Sequence, residues 1–227
     1  MLWFILTKKL FKRFISPSLK WKLCKNFPSL FFFPHMKVDE YLLFNKITDK
    51  TKVVLEYGSG GSTIQFIKQK KKIYTVDSNP DFYRYMRSIG MVKKAIGKSL
   101  FLKLIDLGNT DTWGRPVSLE RKENWHRYYT EVWNDIIQNE NKVDIIFIDG
   151  RFRISCCAYS ILQVLENNWK ETVFMIHDFW NREEYKVLLN FLDEIESKSR
   201  LGVFTVKTDI DIDELKSTIQ KYSAHWS

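Results

Sequence analysis

One run of eleven residues, Val53-Val54-Leu55-Glu56-Tyr57-Gly58-Ser59-Gly60-Gly61-Ser62-Thr63, constrains this chain more than any other. An apolar β-type stretch ends in a carboxylate, passes through a glycine-rich turn and enters a helix-forming segment that reaches Lys70. Nineteen residues past Gly58 a second apolar run, Ile73-Tyr74-Thr75-Val76, ends in Asp77. This is the opening βαβ unit of a nucleotide- or nucleoside-binding α/β fold. The glycines let the backbone pass close to a ligand, and the second acid is placed to accept hydrogen bonds from ribose hydroxyls.

A strand–helix alternation continues from there. Apolar runs predict strands at 53–57, 72–76, 100–105, 143–148, 172–176 and 203–207. Helical stretches are predicted near 62–70, 80–89, 125–139, 154–167, 182–197 and 213–222. Alternation with nearly continuous apolar strands implies a doubly wound, mostly parallel sheet with helices on both faces. In such sheets the ligand sits beyond the carboxyl ends of the strands. Those ends are Glu56 to Gly61, Asp77, Asp106, Asp149-Gly150-Arg151 and His177-Asp178, so polar groups converge on one edge. The long connection from Asp106 to Asn124 carries Gly108, Gly114 and Pro116 and reads as a lid. Lys70-Lys71-Lys72 at a helix end reads as a solvated surface.

The net charge of +9 is unevenly held. Residues 1–36 carry Lys8, Lys9, Lys12, Arg13, Lys20, Lys22 and Lys25 with no acid before Asp39; removing those seven leaves +2. The remainder therefore gives no electrostatic case for a nucleic-acid partner. The chain divides into a basic, aromatic amino-terminal extension at 1–36 and a single domain at 37–227. At about 100° per residue, Trp3, Phe4, Leu6, Leu10, Phe11, Phe14 and Ile15 share one face and Lys8, Lys9, Lys12 and Arg13 the other. Pro17 then ends that helix. Residues 2–16 thus suit an anionic membrane surface, although packing on the domain's own sheet or on a partner fits the same pattern. The apolar stretch is too short to span a bilayer and has no signal-peptide layout. The expected location is cytoplasmic, peripheral on the inner face of the cytoplasmic membrane. The three cysteines, Cys24, Cys156 and Cys157, form no disulfide framework and no metal spacing.

A dinucleotide site wants G-x-G-x-x-G, but here Thr63 stands at the third glycine position and Glu56 precedes the first. A carboxylate there repels a pyrophosphate and suits a cationic ligand without phosphate. These features resemble the class I S-adenosylmethionine-dependent methyltransferases over roughly residues 50–210. The resemblance implies a Rossmann-like methyltransferase fold. It also implies that Glu56, Gly58, Ser59 and Gly60 surround the methionine part of the cofactor, that Asp77 holds the ribose hydroxyls, and that Ile148-Asp149 matches the family's fourth motif. Leu55 to Thr63 together with Trp113-Gly114-Arg115-Pro116, Ile148-Asp149-Gly150-Arg151-Phe152-Arg153 and His177-Asp178-Phe179 more narrowly resembles small, poorly characterised bacterial methyltransferase-like proteins.

Methyl transfer to a hydroxyl needs an in-line acceptor and a group to take its proton. The candidates are Asp149, Arg151, His177 and Asp178, with His177 the natural base. Arg115, Arg151 and Arg153 offer guanidinium forks for a carboxylate or phosphate on the acceptor, Arg153 equally reading as a first-turn surface residue. Asp149 and Asp178 fall where catechol-type O-methyltransferases place two metal-binding aspartates, but Phe179 replaces the asparagine that follows the second, so no metal ligands are assigned and Mg²⁺ is not the expected cofactor. The strand end lacks the N/D-P-P-aromatic segment that many base-amino methyltransferases use, which favours a hydroxyl on a small molecule or glycan. Two other readings stay open: a non-catalytic membrane-associated binding module of the same fold, and a nucleotide-sugar- or NAD-binding enzyme.

Overall fold

The computed structural model describes residues 16–111 and 113–226. Seven strands form one sheet: β1 Val53–Tyr57, β2 Lys72–Asp77, β3 Leu100–Leu104, β4 Ile145–Ile148, β5 Val173–Ile176, β6 Leu192–Lys198 and β7 Leu201–Val206. Their order is β3-β2-β1-β4-β5-β7-β6. The first five strands pair in parallel, whereas β7 runs antiparallel to β5 and to β6.

Alternation along the strands assigns the two cores. Leu55, Tyr57, Tyr74, Ile146, Ile148 and Phe174 face one side, where α7 (Arg127–Gln138), α8 (Arg153–Glu166) and α9 (Ile212–Tyr222) cover them. Val54, Ile73, Ile145, Phe147 and Met175 face the other. There α3 (Val38–Thr48), α4 (Gly61–Lys68), α5 (Pro80–Ser88) and α6 (Gly90–Ala95) close the layer. Both faces are dry, which explains why the strands read as unbroken apolar runs. At the end of β1 even the Tyr57 hydroxyl is buried, because it donates to the Tyr129 carbonyl at 3.1 Å and accepts from Trp133 Nε1 at 2.9 Å.

Two expectations fail. Residues 182–197 were expected to be a helix; they form a 3₁₀ segment, Glu183–Asn190, followed by edge strand β6. Asp193, Glu194, Glu196 and Lys198 carry helix-favouring charge, but on an exposed edge the same charges protect an unpaired strand margin. Lys71 is buried rather than solvated. Its Nζ donates to the carbonyls of Thr48 at 2.6 Å, Asp49 at 3.1 Å and Thr51, closing the end of α3.

The amphipathic stretch predicted at 2–16 lies outside the described residues, except for Ser16. Ser16 caps α1 (Pro17–Asn26), so Pro17 opens a helix here. With the short α2 (Pro28–Phe31), α1 packs on α5: the Trp21 and Tyr85 rings sit 4.7 Å apart, edge to face. Downstream, the backbone of Phe33 and Pro34 lies directly on Gly61 at the start of α4. A Cβ at that glycine would sit 2.2 Å from the Phe33 carbonyl.

Candidate active site

Two turns meet backbone to backbone at the carboxyl edge of the sheet. Strands β1 and β4 are neighbours, with Tyr57 opposite Ile148, so Gly58 and Gly150 emerge side by side. Gly58 adopts φ +96°, and a Cβ there would stand 2.6 Å from Gly150 Cα. A Cβ at Gly150 would stand 2.3 Å from the Tyr128 hydroxyl and 2.8 Å from Gly58 N. Only glycine allows this approach at either position.

The acid before the turn has a different surrounding from the one the resemblance implies. Glu56 is completely buried, on the α4 side of the sheet. Ser62 and Thr63 donate to its two oxygens at 2.5 and 2.6 Å, and Thr63 Oγ1 also accepts from Gly60 N at 2.8 Å. Burial pushes the Glu56 carboxyl up to about 7 against the pull of those hydroxyls. Glu56 therefore ties the glycine turn to α4 from behind, whereas Gly58, Ser59 and Gly60 remain partly open to solvent.

Asp77 holds the next strand end. Its Oδ1 accepts from the backbone of Ser78 and Asn79 at 2.8 and 3.0 Å, and Oδ2 accepts from Ser59 Oγ at 2.5 Å. Burial raises its carboxyl above the usual range despite these donors. The helix-capping role falls to Asn79, which accepts from Phe82 N at 2.8 Å. The connection from Asp106 to Asn124 is anchored on the same turn: Ser78 Oγ donates to the Gly114 carbonyl at 2.7 Å, and Asn79 Nδ2 to that of Asp111 at 2.8 Å. Trp113 on this loop is 73% exposed.

Beyond β4 and β5 lies a six-residue ionic cluster. His177 Nδ1 meets Asp149 Oδ1 at 3.0 Å, and its Nε2 meets Glu40 Oε2 at 3.4 Å. Arg153 pairs with Asp149 at 3.1 Å and Asp178 at 3.3 Å, and its guanidinium also donates to the carbonyls of Gly150, His177 and Asp149. Arg200, in the turn between β6 and β7, donates to Asp178 Oδ1 at 2.7 Å and to Glu40 Oε1 at 3.1 Å. Three carboxylates thus face two guanidiniums and one imidazole, and the charge closes when His177 is protonated. Burial opposes that proton, but the charge and hydrogen bond of Asp149, with Asp178 behind them, hold His177 above its usual value. Asp149 is lowered for the converse reason, its His177 and Arg153 neighbours outweighing burial.

The structure therefore gathers Asp149, His177 and Asp178 as the sequence suggests, but with both ring nitrogens of His177 engaged by carboxylates. Arg153, which reads equally as a fork for the acceptor and as a first-turn surface residue, is buried and fully engaged within the cluster. Glu40 and Arg200 were not singled out at all, since no local signal marks them. Glu40 sits in the first turn of α3, where any acid suits the helix dipole, and only the fold brings it to His177. Asp178 and Phe152 adopt φ +60° and +52°, uncommon values that aim the chain after β4 and β5 into the cluster.

Ligand atoms of Asp149, His177 and Asp178 lie within 4.8 Å of one another, a spacing that suits a metal ion. The donor set does not fit one. Arg153 bridges both aspartates, Arg200 takes Asp178, and His177 is held by Asp149 and Glu40. A divalent cation would stand among two guanidiniums with no unshared pair of carboxylate oxygens to neutralise it.

No protein-family profile and no curated protein matches the sequence. Among solved structures, the chain is similar to a methyltransferase-like protein from Silicibacter pomeroyi, at 21% identity and a TM-score of 0.68, covering 84% of this chain and 96% of that one. It is also similar to an O-methyltransferase from Bacillus cereus solved with S-adenosylhomocysteine, at 14% identity and a TM-score of 0.42, covering 96% and 84%. The first likeness establishes the Rossmann-like methyltransferase fold.

Proposed function

We propose that this chain is an S-adenosylmethionine-dependent methyltransferase acting on a hydroxyl of a small molecule or glycan. One observation carries the reading: the Gly58–Gly150 contact, which clears the side chains from the strand edge directly beside Asp77 and Asp149. The partly open backbone of Gly58, Ser59 and Gly60 beside the carboxyls of Asp77 and Asp149 suits a cofactor with no phosphate. Gly58, Ser59 and Gly60 would line its methionine end, Asp77 would hold the ribose hydroxyls, and Asp149 would lie at the acceptor side. When bound, the cofactor supplies an electrophilic methyl group on a sulfonium.

The protein's own part is to orient the acceptor and take its proton. We assign that proton to Asp149 Oδ2. Oδ1 is taken up by His177 and Arg153, and the side chain keeps 23% exposure at the strand edge. His177, held between Asp149 and Glu40, then acts as a positioning residue. Calorimetry tests the cofactor. S-adenosylhomocysteine should bind the wild type and bind Asp77→Ala at least about tenfold more weakly, because the ribose hydroxyls lose a charged acceptor. NAD binding in its place would refute the assignment. Methyl transfer to cell-envelope extracts, lost in Asp149→Ala, would separate the enzyme from a binding module.

We further propose peripheral attachment to the anionic inner face of the cytoplasmic membrane. Leu19, Trp21, Phe27 and Leu30 are exposed in α1, α2 and their junction, among Lys20, Lys22 and Lys25. A cavity of about 640 Å³ opens beside them, walled by Phe27, Leu30, Ile67 and Met91 with Lys25 and Lys94 at its margin. Each lysine near an anionic surface adds about 1 kcal/mol. No helix among the described residues is long and apolar enough to cross a membrane. Co-sedimentation with phosphatidylglycerol vesicles should fall in a Leu19→Ser, Leu30→Ser double variant. Equal pelleting of both proteins would remove the proposal.

A further inference from the structure

The ionic cluster is self-contained, and that isolates one charge beside it. Glu40, Asp149 and Asp178 each already meet Arg153, Arg200 or His177 directly, so every carboxylate of the cluster has a partner without Arg151. Yet Arg151 stands two residues before Arg153, at the end of β4, within electrostatic reach of Asp149 and of Asp111 on the connection from Asp106 to Asn124 but in ion contact with neither. Its backbone is fixed: N–H donates to the Tyr128 hydroxyl at 3.3 Å and the carbonyl accepts from Cys156 Sγ at 3.2 Å. Its side chain is not. Arg151 Nε is buried without a hydrogen-bond partner.

Every other arginine among the described residues is spoken for. Arg84, Arg115, Arg121, Arg127, Arg153, Arg182 and Arg200 each meet a carboxylate, and Arg87 donates to the Tyr83 hydroxyl at 2.7 Å. Arg151 is also the most awkward place to leave a cation unpaired. Burial and the neighbouring charge of Arg153 both disfavour it, so that even a guanidinium is pulled below its usual range. A guanidinium so placed finds its stable partner in an oxyanion, which its planar fork matches with two parallel hydrogen bonds.

We infer that Arg151 is the anion-reading residue of this site, the counter-ion for a carboxylate or phosphate group that the ligand brings to the edge of the sheet. The inference rests on the cofactor reading above in one respect only: the oxyanion belongs either to the amino-acid end of the cofactor or to the acceptor. In the second case the acceptor is an acidic molecule, such as a sugar acid, a phosphorylated glycan or an aromatic acid. A neutral hydroxyl compound would leave Arg151 unpaired in the closed complex.

Calorimetry on the full chain separates the sources. The wild type, Arg151→Gln and Arg151→Lys are titrated with S-adenosylhomocysteine, with 5′-methylthioadenosine, which lacks the amino-acid end, and with inorganic phosphate before and after saturation with S-adenosylhomocysteine. If the cofactor supplies the anion, Arg151→Gln weakens S-adenosylhomocysteine by about tenfold or more and leaves 5′-methylthioadenosine unchanged. If the acceptor supplies it, S-adenosylhomocysteine is unchanged and phosphate binding to the saturated protein is lost. In either case Arg151→Lys retains part of the affinity. The inference is overturned if Arg151→Gln matches the wild type for both S-adenosylhomocysteine and phosphate, or if it weakens 5′-methylthioadenosine as much as S-adenosylhomocysteine. A wild type that binds no S-adenosylhomocysteine would defeat the cofactor reading, and phosphate binding by the unsaturated protein, lost in Arg151→Gln, would still report on Arg151.

Discussion

Replacing Glu56 by glutamine should make the protein's stability less sensitive to alkali. The Glu56 carboxyl is enclosed between β1 and α4, and burial lifts it from the usual 4.5 to about 7. A raised carboxyl keeps its proton in the folded state over a range in which the unfolded chain has already lost it. The folded state then binds more protons, so stability falls as pH rises between those two values. At 1.36 kcal/mol per pH unit, the interval is worth about 3 kcal/mol. Glutamine fills the same space, can still hydrogen-bond Ser62 and Thr63, and does not ionise. Urea unfolding followed by tryptophan fluorescence at intervals from pH 4 to pH 8 would give both stability curves. Groups such as His177 titrate in both proteins and largely cancel in the difference. The advantage of Glu56→Gln should be near its minimum at pH 4 and grow by about 3 kcal/mol by pH 7, then level off. A difference that stays flat, or shrinks with pH, would show that Ser62 and Thr63 stabilise the ionised carboxylate fully. It would refute the view that desolvation dominates at this position.

Gly150→Ala should cost about 1–3 kcal/mol in thermal unfolding and abolish S-adenosylhomocysteine binding, since its Cβ meets the Tyr128 hydroxyl and the Gly58 backbone. Adding Tyr128→Phe should not restore binding, because the backbone clash remains. Arg153→Met should destabilise by about 3–5 kcal/mol, as it strips a buried cation from two carboxylates; urea denaturation reads this directly, and a loss below 1 kcal/mol would deny the cluster its structural role. The His177 imidazole should titrate above 6.5 by proton NMR and move downward in Asp149→Asn. Its sign follows from a raised folded value: the stabilisation is complete below 6.5 and disappears as pH rises through the folded midpoint.

The parallel half of the sheet was legible because each strand is buried on both faces and therefore uniformly apolar, and because each ends in a polar residue at the ligand edge. Asp77, Asp149 and His177 were found that way. The antiparallel margin was not. In β6 the residues Asp193 to Lys198 are selected for solvent on an edge, and their helix-favouring charge conceals an extended segment. Glu40 and Arg200 escaped for another reason. They come from α3 and the β6–β7 turn, 160 residues apart in the chain, and meet only through tertiary packing, with Arg200 N donating to Glu40 Oε1 at 3.0 Å. The role of Glu56 was hidden by its position in the motif. An acid in front of a glycine turn has the same sequence whether it faces the ligand or the following helix. Its contacts with Ser62 and Thr63 decide between them, and both partners lie within the motif itself.

The backbone of Phe33 and Pro34, pressed onto Gly61, makes the amino-terminal segment something other than an appendage. With a Cβ-free residue between them, the backbone of Phe33 and Pro34 touches the first turn of α4, whose Thr63 hydroxyl accepts from Gly60 N. Were binding at the turn and binding at the extension coupled through this contact, the coupling would be reciprocal, each changing the other's affinity by the same factor. Cutting the chain at residue 36 would strip this backbone from Gly61 and leave the first turn of α4 uncovered.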